Sequence, residues 1–164
     1  MMCSCRLKAA NKNYATAQKI LGVFYFEGKY IPRNIKESIR YLTCAANQND
    51  YIAQFNLCNI YINTHYDDKF LPRIIAMLKN SAEHGVHEAQ VFLGDFYVEG
   101  KYVKRDIKKA VHLYLDPSSF NNQYAKNNLG VIYKNDFDNN IRKNVCKAKE
   151  YFEEAIRQKN DIFA

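Results

Sequence analysis

The sequence predicts an all-α solenoid of stacked antiparallel helix pairs, about four units of 36 residues in one domain over 1–164. Two observations predict it. Four residue columns recur at a step of 36: Ala17, Ala53, Ala89 and Ala125; Leu21, Leu57, Leu93 and Leu129; the small residues Gly22, Cys58, Gly94 and Gly130; and Tyr25, Tyr61, Tyr97 and Tyr133. Within each unit the apolar residues also fall at helical spacing. Ala17, Leu21, Phe24 and Tyr25 stand at i, i+4, i+7 and i+8, one stripe of an α-helix. Apolar residues make up 48% of the chain, enough for a continuous core in which each unit buries its face against its neighbours. The expected units are 14–50, 51–86, 87–122 and 123–160.

Residues 1–13 read as the tail of a preceding second helix, because Ala9-Ala10 lies 36 residues before Ala45-Ala46. The first helix of each unit, helix A, is expected at 15–27, 51–63, 87–99 and 123–135. Its later stripes are Ala53, Leu57, Ile60, Tyr61, then Ala89, Leu93, Phe96, Tyr97, then Ala125, Leu129, Ile132, Tyr133. Alanine and glycine in the stripe let a neighbouring helix approach closely. A Glu-Gly-Lys-Tyr-Ile-Pro-Arg-Asn segment breaks the helix at 27–34 and returns as Glu-Gly-Lys-Tyr-Val-Lys-Arg-Asp at 99–106. Gly28 and Gly100 suit the left-handed position that ends a helix. Asn34, Asp106 and Asn144 suit the N-cap of the helix that follows.

That second helix, helix B, carries Ile35, Ile39, Leu42 and Ala45-Ala46. Its counterparts are Leu71, Ile75, Leu78, Ser81-Ala82, then Ile107, Val111, Tyr114, Pro117-Ser118. In the fourth unit two extra residues near 136–141 displace it to Val145, Phe152 and Ala155-Ile156. Two units are irregular. The second has Thr64-His65-Tyr66-Asp67-Asp68 in place of the glycine loop and Pro72 early in helix B, where proline is tolerated. In the third, Pro117 is expected to stop helix B early and bend the array at 115–122.

No apolar run approaches the roughly 18 residues that span a bilayer, and the first residues hold no apolar stretch of signal-peptide length. A cytoplasmic location is the expectation. The cysteines agree: Cys3, Cys5, Cys44, Cys58 and Cys146 show no pairing that repeats with the unit, so structural thiols are expected. His84 and His87 lie in an inter-repeat turn without companions at metal-ligand spacing. The sequence holds no nucleophile–base arrangement, phosphate loop or dinucleotide fingerprint, so no catalysis, metal or cofactor is expected.

The motif Ala-x3-Leu-Gly-x2-Tyr-x2-Gly, a loop with Asp/Asn, then Lys-Ala-x2-aromatic ending in Ala-Ala resembles the Sel-one-like repeat family, relatives of the tetratricopeptide repeats. The best copies are 14–50 and 87–115. In tetratricopeptide repeats about 12 residues separate the helix A glycine from the first small residue of helix B. Here Gly22 to Ser38 and Gly94 to Ala110 are both 16 apart. The resemblance implies a right-handed α/α solenoid whose A helices line a concave groove. It further implies an adaptor in signalling, quality control or complex assembly, with protein or peptide partners.

The groove would be lined by the helix A residues that vary from unit to unit. These are Thr16, Lys19, Ile20 and Val23; Ile52, Phe55, Asn56 and Asn59; Glu88, Val91, Phe92 and Asp95; and Tyr124, Asn127, Asn128 and Val131. Apolar members would hold a ligand's side chains, and asparagines would bond its backbone. The plainer reading of Ile20, Phe55 and Phe92 is packing between adjacent A helices. A basic column at Arg33, Lys69, Arg105 and Lys143 recurs in the loops of a chain with net charge +7. The alternative function, binding of nucleic acid or an acidic partner, would use that ridge; a solvated face is its plainer reading. The array starts inside a helix B and stops just after another, without a polar capping helix, which leads to the expectation of a longer array or of self-association through the ends.

Overall fold

The computed structural model describes residues 14–64, 68–116, 122–135 and 143–161. Among the described residues are eight α-helices and no strand, grouped in two compact units, Met1–His84 and Gly85–Ala164. In the first, α1 (Ala15–Glu27) packs on α2 (Ile35–Ala46), α2 on α3 (Tyr51–Thr64), and α3 on α4 (Leu71–Glu83). A single 3₁₀ turn, Asp68–Phe70, precedes α4. In the second, α5 (His87–Glu99) packs on α6 (Ile107–Leu115), α6 on α7 (Gln123–Lys134), and α7 on α8 (Val145–Asp161). Helices α1, α3, α5 and α7 are the A helices.

One hydrogen-bond rule closes three of the four pairs. The backbone amides of Asn34, Asp106 and Asn144 donate to the carbonyls of Tyr25, Tyr97 and Tyr133 at 2.8–2.9 Å. The same three residues cap helix B by accepting from the amides of Glu37, Lys109 and Lys147. The Lys109 amide, donating to Asp106, holds that carboxyl below its usual range. The two extra residues of the fourth unit leave this bracket unchanged. Gly28 (φ 70°) and Gly100 (φ 71°) take the left-handed conformation and donate to Phe24 and Phe96.

The second unit of the repeat starts helix B differently. Phe70 stands before α4 without a side-chain cap, and Pro72 sits in the first turn. In the third, α6 ends at Leu115 and Asp116 is extended (ψ 134°), the conformation a following proline favours. Residues 117–121, where a bend is expected, and residues 1–13, where a preceding helix is expected, lie outside the described residues.

The alanine and leucine columns form the core: Leu21, Leu57, Leu93, Leu129 and Ala53, Ala89, Ala125 are all buried. The small column is where helix B crosses helix A. A methyl group on Gly22 would lie 2.7 Å from Leu42 Cγ, and one on Gly130 would lie 2.7 Å from the Phe152 ring. Across the first crossing the Ser38 hydroxyl donates to the Gly22 carbonyl (2.7 Å). At the matching position of the next pair the polarity reverses, and the buried Cys58 thiol donates to the Ile74 carbonyl (3.1 Å). Burial pushes that thiol up to about 12. Cys44 and Cys58 are free and not fully exposed, whereas Cys146 is exposed on α8, so burial does not account for it.

One part of the helix B expectation is corrected. Val145 and Ile156 are solvent-exposed, and α8 buries Ala148 and Tyr151 instead, with Phe152 and Ala155 half-buried. Helical geometry turns these latter residues toward α7 and leaves the first two on the open side.

Candidate functional site

The variable residues of the A helices do not share one environment. In the first unit, Thr16 and Ile52 are exposed near the starts of α1 and α3. Lys19 pairs with Asp50 at 2.9 Å. Asp50 in turn accepts from the Ala53 amide and so caps α3. Ile20, Val23, Phe55, Asn56 and Asn59 are half-buried, and Asn59 accepts a hydrogen bond from Asn63 one turn on.

In the second unit, Glu88 is exposed beside His87 (3.1 Å). Val91 is buried in the core cluster with Ile107, Tyr114 and Leu129, and Phe92 lies against Phe96 with ring centroids 4.9 Å apart. Tyr124 and Asn127 are exposed on α7, and Val131 is half-buried.

Asp95 and Asn128 are brought together by a residue that sequence reasoning had placed only in the helix B stripe. Tyr114, fully buried on α6, donates to Asp95 Oδ1 (2.6 Å), and Asn128 Nδ2 donates to the same oxygen (2.7 Å). Three helices are thereby tied at one carboxylate oxygen. Burial raises the Asp95 carboxyl above its usual range, opposed by the Tyr114 hydrogen bond. Burial, with the Asp95 charge beside it, pushes the Tyr114 phenol well above its own. The polar pair is thus committed within the protein.

A further column went unread in the sequence. Gln18, Gln54, Gln90 and Lys126 also recur at a step of 36, and all four are buried. Gln54 accepts from Asn80 Nδ2 on α4 (2.8 Å) and donates to the Ala46 carbonyl at the end of α2 (3.3 Å), stapling three helices. Gln18 accepts from Gln48 (2.7 Å), while Lys126 replaces the amide with an ion pair to Glu154 (2.9 Å). The step-36 recurrence of a polar residue directly after the alanine column was the available signal.

The basic column is held by its loops. Arg33, Arg105 and Lys143 are exposed, and Lys69 lies exposed in the 3₁₀ turn. A methyl group on Gly28 would come within 2.8 Å of Arg33 Cβ, and one on Gly100 within 3.0 Å of Arg105 Cβ. The Arg33 guanidinium lies 5.5 Å from the Phe26 ring, and Lys69 Nζ lies 5.0 Å from Phe70. In the Gly28 and Gly100 loops, the stem of this column's side chain packs against the helix-ending glycine. His84 stacks on Tyr51 at 3.8 Å and its Nδ1 lies 2.8 Å from the Asn80 carbonyl. Among the described residues no His, Cys, Asp and Glu group is arranged to hold a metal ion, and no helix is long and apolar enough to cross a membrane.

Helix pairs with these fixed packing columns and a varied A-helix face define a helical-repeat scaffold of the protein-interaction type. The Sel1 repeat family matches residues 15–50, 87–115 and 123–160, and the chain belongs to that family. It is 31% identical over 103 residues to a sel1-like repeat-containing protein of Acanthamoeba polyphaga mimivirus, covering 60% of this chain and 17% of the viral protein. It superposes on a Sel1 repeat protein from Oxalobacter formigenes with a TM-score of 0.80 and 25% identity, over 89% of this chain and 59% of that one. A protective antigen of uropathogenic Escherichia coli strains with the same repeat fold gives 0.83 and 24%, over 94% and 33%. The architecture is thus that of Sel1-repeat solenoids of helix pairs. The chain spans less than two thirds of the length of each of these proteins.

Proposed function

We propose that this chain is a non-catalytic, cytoplasmic adaptor whose A-helix faces hold a peptide or helix of a partner protein, in signalling or in complex assembly. One observation supports this most. At a single helix A position, where the packing columns leave a side chain free to vary, Ile52 is 49% exposed and Tyr124 is 65% exposed. Large apolar side chains kept in water directly before a buried alanine are typical of anchors awaiting a partner pocket. Each of the two compact units presents one such anchor on an A helix, and the exposed Thr16 and Asn127 offer polar contacts.

The reading is tested with a photo-crosslinking amino acid placed at 52, at 124, or in place of the exposed Lys36 on helix B. Partner capture at 52 and 124 well above that at 36, abolished by Ile52→Ser with Tyr124→Ser, is the expected result. Equal capture at all three positions would remove the A-helix faces from the function. Capture of RNA in place of protein would transfer the role to the basic loops.

A further inference from the structure

We propose that the open face of α5 and α7 takes an arginine-bearing segment of a partner protein, its guanidinium set on Asp95 and Glu99 and an apolar neighbour on Tyr124. This rests on the adaptor reading above and names the chemistry of what the second compact unit holds. At 3.6 residues per turn, Glu88, Phe92, Asp95 and Glu99 fall within about 60° of one another around α5. Glu88 and Glu99 are exposed, and Phe92 and Asp95 are half-buried. The buried residues of the helix, Ala89, Gln90, Val91, Leu93, Gly94 and Phe96, all lie outside this stripe.

The charge on this face runs against that of the chain. Net charge is +7, yet α5 holds three carboxylates and neither lysine nor arginine. The other A helices differ: α1 has one lysine and one glutamate, α3 has no charged residue, and α7 has two lysines. Of the two on α7, Lys126 is buried against Glu154 and Lys134 ends the helix. The cations beside α5 collect instead in the loop that follows it and on α6, as Lys101, Lys104, Arg105, Lys108 and Lys109. Lys109 pairs there with Asp106 (3.5 Å), and Lys101 Nζ lies 5.0 Å from the Tyr102 ring.

Asp95 is held in place by one oxygen only. Its Oδ1 accepts from Tyr114 and Asn128, which fixes the carboxylate between three helices. Among the described residues its Oδ2 accepts from no donor, and no lysine, arginine or histidine lies within ion-pair distance of Asp95 or Glu99. The Glu99 charge adds to burial in raising the Asp95 carboxyl, so two like charges face each other without a cation. In α1 the residue one turn before the equivalent Glu27 is Val23, so the paired carboxylates belong to α5. Like charges at that spacing work against a helix, and a bound cation offsets the repulsion. Their Cβ atoms are roughly 5–6 Å apart. A guanidinium spans that gap with its planar fork of donors and stacks on a ring such as Phe92, whereas an ammonium is a single point of charge. Glu88, with His87 beside it at 3.1 Å, forms the rim.

The test is selection of short peptides from a random displayed library on the whole chain at physiological salt, then affinity measurements on synthetic copies. Arginine beside aromatic or aliphatic residues is the expected enrichment, against the bulk charge, which favours acidic peptides. Glu99→Lys should weaken these peptides about 10-fold or more. Asp95→Asn, which keeps an acceptor for Tyr114, should weaken them as well. Glu83→Lys makes the same change of net charge at the exposed end of α4 and should leave their affinity unchanged. Helical circular dichroism shows that each variant is folded. Selected peptides that are acidic or carry no cation overturn the inference. So do basic peptides that Glu99→Lys and Glu83→Lys weaken equally. Peptides that lose affinity with Tyr124→Ser but not with Glu99→Lys remove this inference and leave the adaptor reading standing. Peptides that depend on neither residue count against both.

Discussion

Gly94→Ala is the substitution that probes the close approach of helix A and helix B most directly. The added methyl carbon would lie 2.5 Å from Tyr114 Cε1 and 2.8 Å from Cζ, well inside contact distance. That ring has nowhere to retreat: it is fully buried, and its hydroxyl is bonded to Asp95. Overpacking of this kind costs about 1–3 kcal/mol, and displacing the phenol from a carboxylate costs about 1.5–3 kcal/mol more. The gain in helix propensity from glycine to alanine offsets about 1 kcal/mol. The net expectation is a loss of about 2–4 kcal/mol, from those overpacking and hydrogen-bond terms together.

Urea unfolding followed by helical circular dichroism measures the loss, with tyrosine fluorescence as a second probe because repeat arrays need not unfold in one step. The chain contains its own control. At the equivalent crossing of the second pair, Cys58 carries a side chain opposite Leu78 and both are fully buried. Adding Tyr114→Leu to Gly94→Ala should therefore recover part of the loss in a double-mutant cycle. A Gly94→Ala protein with an unchanged or raised midpoint would refute the steric reasoning, because propensity alone would then decide the outcome.

The Asp95 carboxyl is raised in the folded state, so the native chain holds its proton more tightly than the unfolded chain does. Stability from this group is therefore greatest at and below the ordinary carboxylate range and falls as pH rises through the raised folded value. Asp95→Asn keeps an acceptor for Tyr114 and should remove that decline, whereas Asp95→Ala should destabilise at every pH; thermal melts at several pH values separate the three proteins. Gln54→Leu leaves the Asn80 amide without its acceptor and should cost about 1–3 kcal/mol, while adding Asn80→Leu should cost less than the sum of the two single changes. Thiol titration should find Cys146 reactive in the native protein and Cys58 silent until denaturant is added, since Cys58 is buried and its thiol is pushed up to about 12. Equal native rates for the two would contradict the packing of the second helix pair.

The helix A spans were legible almost to the residue because their apolar columns, glycine breaks and caps are local signals that agree with one another. Helix B of the fourth unit was read less well. Its stripe was carried over from the earlier units by position, and only the packing against α7 distinguishes buried Tyr151 from exposed Ile156. The buried glutamine column was missed for a related reason. An A helix such as α3 has helices on two sides, so its buried arc is wider than the apolar stripe and takes in Gln54. Val91, Asp95 and Asn128 looked like surface variety for the same reason, and the first lies in the core while the other two meet at Tyr114.

The step of 36, the helix boundaries and the membership of the small column followed from sequence alone, because each rests on spacing along one segment of chain. Which variable residues stay exposed did not. Exposure depends on the neighbours that tertiary packing brings from 16 to 33 positions away, as the Gly22–Ser38 and Asp95–Asn128 contacts show. Ile52 and Tyr124 are left in water, and Asp95 is drawn inside, only because of where α4 and α6 lie against their partners.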